Sequence, residues 1–348
     1  MEKYMNYVLE QTKKILSIDS PTGYTQEAAD YVMGAYQALG YHPVKTVKGG
    51  VLVEIGGMDS EDAILLEAHM DTLGAMVREI KSNGRLKLSP LGGMNPNNAE
   101  AENCRIITRF QGVYQGTFQI ENASVHVNDT YNDTKRTYDT MEVVLDENAA
   151  TEDKVKELGI MVGDIVAFDP RTTITNQGYI KSRFLDDKLS VGILLGFAKF
   201  IKEEKITTKR KIYHHITVYE EVGHGACGTV PKGVTEILSV DMGCVGETLQ
   251  CTEHQVSICA KDSVGPYSYD VVTNLIQAAK KHKIDFAVDV YPHYGSDADA
   301  ALSAGYDCRH GLIGAGVYAS HGYERSHIDG VKNTLELLGA YLAETKDL

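Results

Sequence analysis

The sequence predicts an α/β protein in which a mostly parallel or mixed sheet carries helices on both faces and an inserted β-rich domain interrupts the chain. Strands and helices alternate over residues 1–71 and 177–348. Residues 72–176 instead hold short strands between turn clusters, with one helical segment. The 348 residues, 43% of them apolar, suffice for one large or two medium globular domains.

The individual elements follow from hydrophobic periodicity. Residues 1–16 and 25–39 are predicted to be helical, and the short apolar runs 51–55 and 63–67 to be strands. In the insert we predict four strands and a helix, at 76–80, 86–88, 112–119, 141–145 and 152–158 respectively. Beyond residue 179 we predict helices at 188–201, 269–281 and 329–345, and strands at 213–219, 236–242, 256–260, 286–290 and 307–313.

Charge and cysteine content exclude several classes of protein. Lysine and arginine number 34 against 48 acids, a net charge of −14, which argues against a nucleic acid or an anionic membrane as partner. The N-terminal segment has no continuous apolar run, so we expect neither a signal peptide nor a membrane anchor. The six cysteines form no CxxC pair, which favours a reduced cytoplasmic protein.

Several acids and histidines lie directly at the ends of apolar runs. His69 and Asp71 occur in AHMDTLG, Glu220 and Glu221 in YEEVG, and Asp241 in SVDMG. A charge at the end of a buried strand is costly unless it is paired or bound to a metal. Ligands of parallel sheets gather at the carboxyl ends of strands, so we expect these side chains to meet there.

Further candidates stand at predicted turns. Asp186 and Asp187 precede a helix in FLDDK, where acids also serve as helix caps. His321 lies in ASHGYER, and His327 follows as a rival ligand. Asp297 in GSDADA is either a helix cap or a residue that faces bound substrate. Five carboxylate and imidazole ligands are what two divalent metals with one bridging carboxylate require. Such ligands do not choose strongly among zinc, cobalt and manganese, and we expect zinc or cobalt, with manganese as an alternative.

Each motif also has an ordinary structural explanation. The histidine of an H-x-D motif often belongs to a polar network, and a strand-end aspartate is often a cap. The adjacent Glu220 and Glu221 are the most informative pair, because neighbours at a strand end point in different directions. One can bind a metal while the other takes the proton of an attacking water. The sequence shows no GxSxG, GxxxxGK[ST] or HExxH motif.

The order and spacing of these motifs resemble the tetrahedral-particle (TET-type) metalloaminopeptidases. This family comprises glutamyl, leucyl, lysyl and deblocking aminopeptidases, some labelled cellulase- or endoglucanase-like. The resemblance covers nearly the whole chain, through SPTG, AHMDTLG, GAMVREIKSNGRLKLSPLGG, GIMVGDIVAFDP, DDK, EEVG, SVDMG and GSDADA. It implies a zinc-peptidase-like fold, peptide substrates, two divalent metals per subunit, and an inserted domain for assembly of a homo-oligomer, commonly a tetrahedral dodecamer.

The resemblance also implies roles for individual residues. His69 and Asp241 would hold one metal, Glu221 and His321 the other, and Asp186 would bridge them. Glu220 would be the general base, and Asp71 would orient the imidazole of His69.

Two departures and two other functions stay open. The family often has Tyr-Ile-His-Ser where this chain has Ala319-Ser320-His321-Gly322, which keeps His327 as an alternative ligand. Residues 99–146 are polar and irregular for their place in the insert, so the oligomer size is open. The other functions are a metal-dependent deacylase or dipeptidase on the same fold, and a non-catalytic assembly protein.

Overall fold

The computed structural model describes residues 1–343 and confirms the predicted α/β class with an inserted β-rich region. The α-helices are α1 (Met5–Leu16), α2 (Gln26–Ala38), α3 (Glu152–Glu157), α4 (Leu185–Glu203), α5 (Tyr269–His282), α6 (Asp297–Ser303) and α7 (Ile328–Leu342). The last helix was predicted to reach residue 345, and residues 344 and 345 lie outside the described part. None of the helices within residues 1–343 has the length and apolarity needed to cross a membrane.

The strands form one large sheet and one closed barrel, which are described below. The first nine are β1 (Val44–Lys45), β2 (Val51–Gly56), β3 (Asp59–His69), β4 (Gly74–Ile80), β5 (Leu86–Leu91), β6 (Glu102–Ile107), β7 (Val113–Ile120), β8 (Met141–Leu145) and β9 (Ile165–Phe168). The others are β10 (Thr173–Ile174), β11 (Tyr179–Ser182), β12 (Arg210–Thr217), β13 (Val234–Val240), β14 (Gly243–Val245), β15 (Val256–Lys261), β16 (Phe286–Val290), β17 (Arg309–Tyr318) and β18 (Glu324–His327).

Two compact units make up the chain, namely Met1–Asp71 with Arg171–Leu348, and Thr72–Pro170. Residues 171–176, which the sequence assigned to the insert, belong to the larger unit. The reason is strand pairing, because β10 is antiparallel to β11 in the large sheet. A short polar stretch before a strand carries no local signal for such an edge contact.

The larger unit contains a mixed 12-stranded sheet whose main order is β1-β2-β12-β3-β13-β17-β18-β11-β10. At its centre β12, β3, β13 and β17 run parallel to one another. The carboxyl ends of these four strands therefore meet at the same edge of the sheet. Antiparallel pairs flank them, including β2 with β12 and β17 with β18, which makes the sheet mixed.

Helix α4 is the most deeply buried element of this unit. Nearly all its side chains from Leu185 to Ile201 are buried, and α1 packs closely against it. A Cβ at Gly192 would lie 2.1 Å from the hydroxyl oxygen of Thr12, so only glycine permits this approach of the two helices. The largely apolar composition of 189–201 is thus explained by burial on nearly every face rather than on one.

The smaller unit is a closed barrel of antiparallel strands in the order β4-β5-β8-β7-β6-β9. Phe118 and Phe168 pack inside it at a ring-centroid distance of 5.6 Å. Strands β6 and β9 were not predicted from the sequence. Both pair with each other along the barrel wall, a long-range contact that mixed polar and apolar residues such as those of β6 do not reveal locally.

Candidate metal centre

The structure brings the five predicted metal ligands to the carboxyl edge of the parallel strands. His69 is the last residue of β3, and Asp241 directly follows β13. Glu221 lies in a tight turn after β12, which Tyr219 initiates in a left-handed conformation with φ of 69°. Asp186 lies at the start of α4, and His321 occupies the turn after β17.

The carboxylate of Asp186 faces two different histidines. Its Oδ1 atom lies 3.1 Å from His69 Nε2, and its Oδ2 atom lies 3.4 Å from His321 Nε2. His321 Nε2 also lies 3.6 Å from Glu221 Oε2. Potential ligand atoms of His69, Asp186 and Glu221 all lie within 4.8 Å of one another, as do those of His69, Asp187 and Asp241. His69 is the residue common to both groups, and Asp186 is the carboxylate that contacts both His69 and His321.

The ring of His69 is oriented by a backbone group. Its Nδ1 atom lies 2.9 Å from the carbonyl oxygen of Asp71, whereas the Asp71 carboxylate is 3.7 Å away. Because a carbonyl oxygen only accepts, Nδ1 carries the proton and Nε2 is the nitrogen that can bind a metal. The expectation that the Asp71 carboxylate orients this ring is wrong in that detail, since the main chain of Asp71 does so.

The carboxylate of Asp71 holds the two glutamates instead. Its oxygens accept the backbone N–H groups of Glu220 and Glu221 at 3.2 and 3.4 Å. The hydroxyl of Thr22 donates to the same carboxylate at 2.7 Å. The SPTG turn and the EEVG turn are thereby joined through one buried aspartate. Glu220 Oε2 is held 3.5 Å from His69 Nε2, so the two glutamates do point to different neighbours.

The electrostatics of this cluster favour a cation. Burial, and then the charge of Asp186, raises the pKa of Asp241 to about 7 and raises the pKa of Glu221 well above its usual range. Burial opposes ionisation of Asp186, but its contacts with His321 and His69 outweigh that effect and hold its pKa low. Glu221 Oε1 is buried and makes no hydrogen bond within the protein. Crowded, desolvated carboxylates with an unpaired oxygen fit bound divalent ions.

Two further acids support the site, namely Asp187, a candidate to which the sequence assigned no definite role, and Glu324, which sequence reasoning missed. Asp187 Oδ2 accepts the backbone N–H of His69 at 3.2 Å, while its Oδ1 is buried without a partner in the protein. Glu324, at the start of β18, accepts the backbone N–H of Asp186 at 3.1 Å and that of His321 at 3.0 Å. The signal available in the sequence was weak, namely one acid within the short segment ERSH.

His327 lies outside this cluster. Its Nδ1 atom accepts the N–H of Asp329 at the start of α7, and its Nε2 atom donates to the Gln177 carbonyl at 2.7 Å. It belongs to a separate group with His254 and Asp329. Of the two histidines left open by the sequence, the structure brings His321 to Asp186 and Glu221.

Asp297 is not the cap of α6, because Ser296 holds the N-cap position and the carboxylate of Asp297 bonds to other segments. One oxygen accepts the Ala226 N–H at 2.8 Å and the other accepts the Thr217 hydroxyl. The residue begins α6 and also lines a cavity of about 550 Å³ that opens on the candidate ligands. Burial, and then the charge of Glu67, raises its pKa to about 6. The hydrogen bonds within the protein show a structural role, and contact with substrate stays a prediction.

A mixed α/β sheet with histidines and carboxylates grouped at the carboxyl ends of its strands defines the class of candidate metallohydrolases. Residues 49–337 match the family model described as M42 glutamyl aminopeptidase. The chain belongs to this family of aminopeptidases, and the predicted resemblance to TET-type enzymes is thereby confirmed.

Individual relatives agree with that assignment. The putative aminopeptidase YhfE of Bacillus subtilis (strain 168) is 43% identical over 334 residues, which cover 96% of each chain. The TET aminopeptidase of the marine sediment archaeon Thaumarchaeota archaeon SCGC AB-539-E09 has the same fold, with a TM-score of 0.89 at 19% identity, covering 99% and 97% of the two chains. The dodecameric PhTET1 superposes with a TM-score of 0.82 at 22% identity, covering 95% and 98%.

Proposed function

We propose that this chain is a dinuclear metal-dependent aminopeptidase that releases N-terminal residues from peptides. The observation that carries the proposal is the position of Asp186, whose two carboxylate oxygens face His69 and His321 separately. A carboxylate so placed is suited to bridge two ions. His69 and Asp241 would complete one binding site, and Glu221 and His321 the other.

Two bound divalent ions would supply Lewis acidity that lowers the pKa of the attacking water and polarises the scissile carbonyl. Imidazole and carboxylate ligands suit zinc and cobalt, and manganese is an alternative. The remaining chemistry falls to side chains of this protein, and it requires a proton acceptor beside the ligands.

Glu220 is the residue proposed for proton transfer. It is partly buried beside His69 but belongs to neither group of potential ligands. Burial raises the pKa of Glu220 well above its usual range, and the charge of His69 acts in the opposite direction. A carboxyl group in such surroundings can accept a proton from water and return it to the leaving amine near neutral pH. The carboxylate of Asp71 would keep Glu220 in place by accepting the backbone N–H of Glu220.

The inserted barrel is proposed to mediate self-association. PhTET1, which shares the fold of this chain, forms a dodecamer. We propose a homo-oligomer for this chain, with a tetrahedral dodecamer as the expected form, and sedimentation velocity of the purified protein tests the size. The cytoplasmic location stays a prediction.

Glu220→Gln tests the function most directly. The variant should bind metal and fold as the parent does but lose at least ~100-fold in kcat, the usual scale for general acid–base catalysis. Metal-depleted protein reloaded separately with zinc, cobalt or manganese would be assayed on free aminoacyl-anilides and on their N-acyl forms. Glu247→Gln, an exposed substitution of the same kind, is the control. Full activity of Glu220→Gln, or a preference for N-acyl substrates, would contradict the proposal.

A further inference from the structure

The cavity at the candidate centre extends beyond the proposed metal ligands. Its other walls include Val264 and the segment that leads into and along α6. The side chains that matter below are those of His293, Ser296, Asp297, Asp299 and Ser303. A substrate carbonyl must lie beside the metal ligands to react. The remaining volume is therefore available to the side chain of the substrate's first residue.

Positive charge is scarce on these walls. Among residues 1–343, no lysine or arginine lines the cavity, whereas Asp297 and Asp299 add two carboxylates to those of the centre. Two lysines lie near these walls without lining the cavity, and of these Lys48 donates to the carbonyl oxygens of His224 and Gly225. Lys261 binds the carbonyl oxygen of Asp262.

A further carboxyl group lies directly behind the wall. Asp262 is fully buried, and the hydroxyl of Tyr267 lies 2.8 Å from its carboxylate and 3.1 Å from that of Asp299. Asp299 also accepts the Ser296 hydroxyl at 2.9 Å. These donors fix the carboxylate of Asp299 without supplying a positive charge. His310 is the ionisable base beside it, with Nε2 at 3.6 Å from Oδ1.

We propose that this cavity selects the N-terminal residue of the substrate by charge, which rests on the proposed aminopeptidase function. Neutral and cationic side chains are accepted, and glutamate and aspartate are excluded. The proposed specificity therefore differs from the glutamyl specificity named in the description of the family. An anionic side chain would be desolvated among like charges with no cation to pair with, and such contacts are an effective means of rejecting a ligand.

Bound metals do not reverse this expectation. The four positive charges of two divalent ions are matched in number by the carboxylates of Asp186, Glu220, Glu221 and Asp241, all of which line the cavity. Asp297 and Asp299 then remain as negative charge on the part of the wall that receives the side chain. The amine and carbonyl of the substrate, rather than its side chain, would occupy the metal-binding end.

The test compares isosteric substrates that differ in charge. Kinetics on Gln- and Glu-p-nitroanilide, with Leu- and Lys-p-nitroanilide alongside, would be measured on the assembled, metal-loaded protein at pH 8. Histidine carries little positive charge at that pH. We expect kcat/KM for the glutamine substrate to exceed that for glutamate by at least ~30-fold, from like-charge repulsion at an intermediate effective dielectric. The lysine substrate should be cleaved at least as efficiently as the glutamine substrate.

A gain-of-function variant makes the test sharper. Ser303 is exposed, ends α6 and lines the cavity, so Ser303→Lys adds the missing cation. We expect this variant to lower the ratio of kcat/KM for the glutamine substrate to kcat/KM for the glutamate substrate by about 10-fold, because the added ammonium pairs with the substrate carboxylate. Thr207→Lys is the matched control, because exposed Thr207 precedes β12 at the amino end of the sheet and should leave the ratio unchanged.

The outcomes separate the two proposals. If none of the four anilides is cleaved with any metal, the aminopeptidase function itself fails. If glutamine and leucine are released and glutamate is released equally fast, only the charge selection fails. Rejection of both the lysine and the glutamate substrate would also overturn the charge selection. The cost of burying a charge of either sign, and not the acidic walls, would then explain the preference.

Discussion

Glu324 connects two candidate ligands through their main chains, because its carboxylate accepts the N–H of Asp186 at 3.1 Å with one oxygen and the N–H of His321 at 3.0 Å with the other. The side chain is buried at the start of β18. The loop that carries His321 and the start of α4 are thus fixed to each other by one acid.

Glu324→Gln should weaken metal binding. The amide keeps the size of the side chain but turns an NH₂ group toward a backbone donor. We expect metal affinity to fall by about 10–100-fold, the usual effect of changing a residue that orients ligands. Competition with a chromophoric chelator measures it, and the exposed Glu247→Gln serves as reference. Unchanged affinity in a folded variant would show that these two hydrogen bonds do not orient the centre.

Thr22 should influence turnover from outside the cavity. Thr22→Val removes the hydroxyl that donates to Asp71 at 2.7 Å, while Thr22→Ser keeps it. Because Asp71 holds the N–H of Glu220, we expect the valine variant to lose about 10-fold in kcat and the serine variant to stay near the parent. Metal content should be the same in both. Equal kcat values for the two variants would argue against a link through Asp71.

The two C-terminal histidines should respond to substitution in different ways. His321→Ala removes a proposed ligand, so metal content and activity should both fall. His327→Ala should retain both but lose about 1 kcal/mol in the free energy of unfolding, because the N-cap of α7 is lost. Metal analysis and urea unfolding of the two variants distinguish them. Loss of metal from His327→Ala alone would reverse the assignment.

Glu67 should make the stability of the metal-free protein depend on pH. Burial raises the pKa of this carboxyl from 4.5 to about 8. An acid with a raised folded-state pKa binds its proton more tightly when folded, so its contribution to the free energy of unfolding falls as pH rises from about 4.5 to 8. Glu67→Gln should therefore stabilise the protein at pH 8 by up to about 4 kcal/mol and have little effect at pH 4.5.

Urea unfolding at both pH values measures that difference, with exposed Glu61→Gln as the reference for a surface charge. His215 Nδ1 lies 3.2 Å from Glu67 Oε1, and a glutamine can keep that contact. A Glu67→Gln variant that is equally destabilised at both pH values would indicate that packing, rather than ionisation, governs this position.

The sequence was most informative where a local pattern of apolar residues itself causes a segment to form a buried strand. Apolar runs that end in an acid or a histidine became β3 and β13, and their last residues or immediate successors became the site. Burial decides such patterns residue by residue. The conformation of residues 319–323 and the choice between His321 and His327 depend instead on how β17 and β18 pair, which no local window contains.

The roles of Asp71 and Glu324 were beyond sequence reasoning for a related reason. Both accept hydrogen bonds from backbone N–H groups of segments that are distant along the chain. In a sequence, an acid with this role looks the same as any other acid. The sequence predicted short strands in the insert but not their closure into a barrel. Closure requires β6 to pair with both β7 and β9. Such pairings are specified by the whole barrel and not by the composition of one strand.

The deep burial of α4 has a consequence for heat inactivation. Asp186 begins a helix that has almost no solvent-facing surface, so the amides behind it should exchange with deuterium only when the whole larger unit opens. Fraying of a peripheral segment, a common first event in thermal damage, would leave this ligand in place. Loss of activity on warming should then coincide with cooperative melting rather than precede it.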